Sequence, residues 1–149
     1  MNLNIPYMET DNKLLNDAYR IAAGDIVGNI VYYQNGLLTE EKPCMIAGLD
    51  YNTPWTRDTA INIWNALSIL SPEVSKNTLL AVLEEEEGNI YIGGQYWDSI
   101  IWMIGAREYC RFHKDDNFYR LAFEAGRNSV HRLEEGEFDE EDGLFRGPA

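Results

Sequence analysis

Two short stretches of this chain gather side chains that an idle surface rarely brings together: Trp55-Thr56-Arg57-Asp58 and Gln95-Tyr96-Trp97-Asp98. Arginine offers a planar fork of donors that stays charged at every physiological pH. A carboxylate in the first turn of a helix is favoured there as an acceptor by the helix dipole. Aromatic faces beside such groups suit a sugar, whose ring turns C–H faces to an aromatic plane while its hydroxyls need charged, bidentate partners. The candidate ligand-holding residues are therefore Trp55, Arg57, Asp58, Gln95, Trp97 and Asp98. The plainer alternative is that Arg57 and Asp58 only pair with each other or cap their helix.

Asp58, Asp98 and Asp142 lie 40 and 44 residues apart. The first two open a helix directly after a tryptophan-bearing loop, and both helices continue with an isoleucine and a second tryptophan, Ile61/Trp64 and Ile101/Trp102. The third, Asp142-Gly143-Leu144-Phe145, stands where another such helix would begin. A period of this length with two helices in it predicts stacked antiparallel helical hairpins. Alternate helices then point the same way. Their N-terminal loops gather at one end, so the candidate residues should line one concavity.

Five segments have helical spacing. Asp11 is placed to cap a helix carrying Leu14, Leu15, Ala18, Ile21 and Ala22, which should loosen near Gly24 or Gly28. Residues Tyr32 to Tyr51 read as loop with short extended pieces, broken by Gly36, Pro43 and Gly48. Thr56 should cap a second helix carrying Ile61, Trp64, Ala66, Leu67 and Leu70. Ser71-Pro72 is a cap followed by a proline that loses no hydrogen bond, opening a third helix with Val74, Thr78, Leu79, Val82 and Leu83. Its end runs into Glu84 to Glu87, which oppose the macrodipole and should fray or turn. A fourth helix runs from about Trp97-Asp98 to Phe112, apolar almost all round as far as Ala106. Asp115 or Asp116 caps a fifth, bearing Phe118, Leu121, Ala122, Ala125, Val130 and Leu133, and the tail from Gly136 reads as loop. No strand-like alternation of convincing length is present, so the expected fold class is all-α.

The 149 residues suffice for one domain, and a 45% apolar content suffices for a core. A net charge of −13 argues against nucleic-acid and membrane-surface binding. No apolar run approaches a membrane span, and Met1 to Thr10 carries no signal-peptide pattern, so a cytoplasmic location is expected. Cys44 and Cys110, 66 residues apart, read as two unpaired thiols of a reducing compartment. His113 and His131 sit in no metal motif, and no cofactor or metal is implied.

The WTRD element, the downstream Gly94-Gln95-Tyr96-Trp97-Asp98-Ser99 and the loop Phe138-Asp139-Glu140-Glu141-Asp142-Gly143-Leu144-Phe145 together resemble the six-hairpin glycosidases, which include glucoamylases, glycogen-debranching glucosidases and processing α-glucosidases. The resemblance covers residues 10–149 and is most specific at the WTRD element. It implies an (α/α)6 toroid. It also implies that Arg57 and Asp58 hold sugar hydroxyls next to the cleaved bond, that the general acid follows the DGLF loop, and that the general base lies near the far end of the barrel. Such enzymes are typically inverting hydrolases with a water between two carboxylates.

Twelve helices with connections need about 190 residues at the barest minimum. The expectation is therefore an N-terminal portion of a larger glycosidase barrel, a partial toroid of antiparallel hairpins. It would hold part of the sugar subsite and lack the complete catalytic pair, with the catalytic residues themselves unassigned. The carboxylates of Glu84 to Glu87 and Glu134 to Asp142 read as solvated charge runs, and Asp139 with Asp142 lacks a calcium-loop spacing. The competing hypothesis is a non-catalytic acidic scaffold that binds a protein partner. A barrel portion should expose apolar flanks and associate with copies of itself, whereas a finished repeat protein should end in polar faces. Phe118, Tyr119, Leu121, Phe123 and Val130 exceed a single stripe and favour the former.

Overall fold

The computed structural model describes residues 5–147, with only the backbone of Tyr96. The first four residues of the leader reading and the last two of the tail lie outside the described residues.

Helix α1 spans Lys13–Gly28. Its cap is Asn12, one residue past the expected Asp11, whose side chain accepts from the Leu14 and Leu15 amides at 3.0 and 3.3 Å. Strands β1 (Ile30–Tyr33) and β2 (Lys42–Met45) follow as an antiparallel pair with Val31 opposite Cys44. Helix α2 is continuous over residues 56–70: an α-helical start, Thr56–Asn62, a π-helical turn, Ile63–Leu67, and a final turn, Ser68–Leu70. Helix α3 (Pro72–Ala81) starts as expected, with the Ser71 hydroxyl accepting from the Val74 amide and proline in the first turn.

Strands β3 (Leu83–Glu86) and β4 (Asn89–Ile92) form a second antiparallel hairpin. Helices α4 (Tyr96–Phe112) and α5 (Asp116–Glu137) then pack antiparallel. Tyr109 meets Phe118 near the connection, with ring centroids 5.0 Å apart, while Met103 meets Gly126 further along. The Asp115 side chain caps α5 at the Phe118 amide, 3.0 Å away. A last short hairpin joins β5 (Phe138–Asp139) to β6 (Leu144–Phe145).

The all-α expectation is thereby corrected. The fold is mixed: among the described residues 56% are helical and 14% strand, with three separate two-stranded antiparallel sheets. The five helical segments stand where the spacing put them, but the uninterrupted hairpin stack, and the partial (α/α)6 toroid that the resemblance implied, do not. The decisive case is Leu83 to Ile92. The four glutamates do not fray from a helix end; three of them continue as a strand, and the fourth, with Gly88, makes a two-residue turn in which both φ angles are positive, +51° and +81°. That is the turn whose twist matches a tight hairpin. Four-residue strands are too short to show periodicity, and here the turn residue is a glutamate with φ above zero, which sequence alone rarely flags.

The core lies where α2, α3, α4 and α5 meet the first two hairpins. Trp102, Ile63, Leu67, Val74, Leu79 and Leu83 have essentially no exposed surface. Trp102 donates its indole N–H to the Leu79 carbonyl at 3.3 Å. The Met45 amide donates to the Thr78 hydroxyl at 2.9 Å, which fixes the first hairpin on α3. The Ser129 hydroxyl accepts the Ile92 amide at 2.9 Å and ties the second hairpin to α5. Cys44 and Cys110 are free thiols, and burial pushes the Cys44 thiol up to about 12.

Candidate functional site

Helix α2 lies on α4 with both chains running the same way. At their starts the Arg57 guanidinium is 3.9 Å from the Asp98 carboxylate. At their far ends the Ser68 carbonyl is 2.6 Å from His113 Nε2. The inner face of α2 is Thr56, Thr59, Ala60, Ile63, Leu67 and Ser68. The bulkier Ile61 and Trp64, apolar positions of the same helix, are 42% and 53% exposed. Small residues win this face because the axes approach closely. A Cβ on Gly105 of α4 would stand 2.7 Å from the Ala60 Cα, a separation that no larger pair permits. Close packing thus selects Ala60 at the crossing with Gly105, while Ile63 and Leu67 further along the same face fill the core.

This parallel pairing gathers the two helix starts. The Thr56 hydroxyl donates to the Gly93 carbonyl at 2.8 Å and joins the first turn of α2 to the loop entering α4. Gly94 has φ +105°, and a Cβ there would meet both the Asp98 carboxylate and the Thr56 hydroxyl at 2.9 Å. Only glycine satisfies both conditions. Asp98 is buried in the first turn of α4. Its Oδ2 accepts the Gln95 amide at 3.1 Å, while Oδ1 has no hydrogen-bond partner and faces Arg57. The Arg57 guanidinium in turn lies over the Trp97 ring, 4.3 Å from its centroid. The Trp97 indole N–H donates to the Gln95 side-chain carbonyl at 3.1 Å.

A pocket of about 360 Å³ opens between these starts and the second hairpin. Trp55, Arg57, Gln95 and Asp98 line it, joined by Asn35 and Glu84. Trp55, 46% exposed, lines the pocket and meets Tyr51 edge-on at 5.5 Å. Of the six candidates, four thus share one concavity. Trp97 stands behind it as the platform under Arg57. Asp58 is half-buried on α2 and is not part of the lining. Asp142 is not there either: in the β5–β6 turn it binds Arg146 at 2.7 Å.

Sequence reasoning missed Glu84 and Asn35. Glu84 reads as one member of a charge run until the hairpin puts it beside Gly93. Asn35 belongs to an Asn-Gly pair, a turn signal, and its amide nitrogen lies 3.4 Å from the Ala81 carbonyl. Among the described residues no cluster of His, Cys, Asp and Glu could hold a metal ion, and no helix is long and apolar enough to cross a membrane. Set against known proteins, the chain matches no family model, no curated protein and no solved structure.

Proposed function

We propose that this chain carries part of the sugar-binding subsite of a glycoside hydrolase, with Arg57 and Asp98 as ligands to sugar hydroxyls and Trp55 as the face on which the ring stacks. One observation supports this above the others. Arg57 is held between an indole ring and a buried carboxylate oxygen that has no hydrogen-bond partner, at the wall of a pocket bearing an exposed tryptophan. A ligand hydroxyl within hydrogen-bonding distance of both would complete the pair, because a gap of 3.9 Å is too long for a direct bond and short enough to bridge. The resemblance at Trp55 to Asp58 points to the same chemistry.

Hydrolysis needs a proton donor and a second carboxylate, about 6.5–9.5 Å apart with water between them in an inverting site. Asp98 is committed to the Gln95 amide and Arg57, which suits holding rather than proton transfer. The chain therefore binds a sugar and turns over none. The test follows tryptophan fluorescence during titration with glucose and maltose, alongside assays with nitrophenyl α- and β-glucosides. Millimolar binding is expected, weakened about tenfold or more by Arg57→Ala, the scale of a lost charge-assisted hydrogen bond. Binding indifferent to Arg57→Ala overturns the subsite. Turnover abolished by Asp98→Asn or Asp142→Asn overturns the non-catalytic part.

A second reading, a protein-binding module or self-associating chain, rests on a different observation. Leu14 and Ile21 of α1 are 78% and 66% exposed, and Met103, Tyr119, Phe123 and Val130 line an open apolar groove between α4 and α5. Sedimentation of the purified chain separates the two: a monomer at high concentration removes self-association and leaves the sugar subsite untouched.

A further inference from the structure

We infer that the pocket sorts sugars by charge, admitting neutral and cationic ones and turning away anionic ones, and that Glu84 sets this selectivity. The inference rests on the sugar-subsite reading and adds the class of ligand. Three charged side chains line the pocket: Arg57, Glu84 and Asp98. The arginine and Asp98 face each other, so their charges largely offset. That leaves Glu84, which makes no ion pair among the described residues.

The backbone holds Glu84 where it is. It is the second residue of β3, paired across the ladder with Tyr91, and its carboxylate lies against Gly93 in the strand-to-helix loop. A Cβ on Gly93 would come within 2.6 Å of the Glu84 Oε1 and 2.8 Å of the Val82 carbonyl, so a side chain at that position would drive the carboxylate out. Asp98, whose buried Oδ1 has no hydrogen-bond partner, lines the same cavity beside Arg57. The surroundings reinforce the sign: Glu85 to Glu87 continue the strand and its turn, and of these Glu86 is paired, with Arg132. In a chain of net charge −13 such a pocket focuses negative potential. A volume of about 360 Å³ is at the low end for small-molecule sites and suits one pyranose ring. A hydroxyl or ammonium group can meet Glu84 as a donor. A uronate carboxylate or a sugar phosphate meets it as a like charge.

The experiment titrates the full chain with glucose, glucosamine and glucuronate at low salt and about pH 6, where an amine is protonated. Glucosamine is expected to bind about threefold more tightly than glucose, the size a solvent-exposed ion pair carries, and glucuronate about tenfold more weakly. The spread should shrink as salt is added. Glu84→Gln should remove the charge preference, bringing both glucosamine and glucuronate to within about twofold of glucose measured on the same variant, since a neutral amide offers hydrogen bonds without a charge. Glu85→Gln, outside the pocket lining, should leave the order unchanged. Equal binding of glucuronate and glucose, or an order that survives Glu84→Gln, overturns the assignment of charge selectivity while the subsite stands. If glucose itself does not bind, the subsite and this inference fall together.

Discussion

Helices α1 and α4 are nearly equal in length, 16 and 17 residues, and both are rich in apolar side chains, yet they end in opposite surroundings. No residue of α1 is buried. In α4, Asp98, Ser99, Trp102, Ala106 and Tyr109 are buried, and Trp102 is completely so. The difference lies in small residues rather than large ones. Gly105 lets α2 lie close along α4 at Ala60, and at the starts of the same two helices Arg57 meets Asp98. Leu14, Ala18 and Ile21 give α1 an apolar face of helical spacing that stays exposed, while Ile26 near its end packs against the core. An amphipathic pattern says which face wants covering. Whether something covers it is decided by shape.

The largest expected effect breaks the buried side of that contrast. Trp102→Ala removes a fully buried indole and its bond to the Leu79 carbonyl, and should cost about 3–5 kcal/mol in urea unfolding. A loss below 1 kcal/mol would mean that α4 is not the centre of the core. Next comes one substitution made in both helices. Gly105→Ala puts a methyl 2.7 Å from the Ala60 Cα and should destabilise by about 1–3 kcal/mol, while loosening the Arg57–Asp98 approach. Gly24→Ala in α1 meets no atom within 4 Å, so the helix propensity of alanine should stabilise by about 0.4–1 kcal/mol. Effects of the same sign at both glycines would abolish the distinction.

A smaller effect concerns the start of α5, the helix that covers α4. The Lys76 ammonium, 2.6 Å away, and the Phe118 amide hold the Asp115 carboxyl below the usual carboxylate range. A carboxyl lowered in the folded state contributes stability that is full above its unfolded pKa, about 3.9, and disappears as pH falls through the folded value. Asp115→Ala should therefore cost about 1 kcal/mol at neutral pH, the scale of a lost helix cap. The difference from the wild-type chain should close below about pH 4. Thermal melts from pH 3 to 7 read both, and a difference that persists unchanged at pH 3 would locate the effect elsewhere.

The legible parts of this fold were those written in caps and helical spacing. Ser71-Pro72, Asp115 and the run from Trp97 to Phe112 each announced an element that the structure contains. The gathering of the Trp55 and Trp97 loops was legible through their recurrence. The hairpins were not, because a two-stranded ladder of four residues is specified by its turn and its packing partner rather than by a pattern. That is why Glu84, a pocket residue, was indistinguishable from a solvated charge. The inner face of α2 was hidden for a related reason: hydrophobicity ranks Trp64 above Ala60, and close packing ranks them the other way. A one-residue π-helical widening at Ile63–Leu67 then turns Trp64 and Asn65 outward, a shift that no average helical period anticipates.

The smallest expected effect is also the sharpest test of the exposed side. Ile21 of α1 is 66% exposed, and a polar residue of similar length loses no contact there in an isolated chain. Ile21→Gln should change stability by no more than about 0.5 kcal/mol, as surface substitutions do. The prediction depends on α1 remaining uncovered. If a second copy lies over Leu14 and Ile21, burial is supplied by association, and stability becomes dependent on protein concentration. The wild-type chain would then melt higher when concentrated, and Ile21→Gln would remove that increment along with the associated species. Melting both chains at two concentrations about fiftyfold apart decides between the cases. Four coincident transitions leave α1 with its Leu14–Ile21 face uncovered and Ile26 as its anchor on the core, while a concentration shift that vanishes in Ile21→Gln shows that the contrast with α4 belongs to the monomer alone.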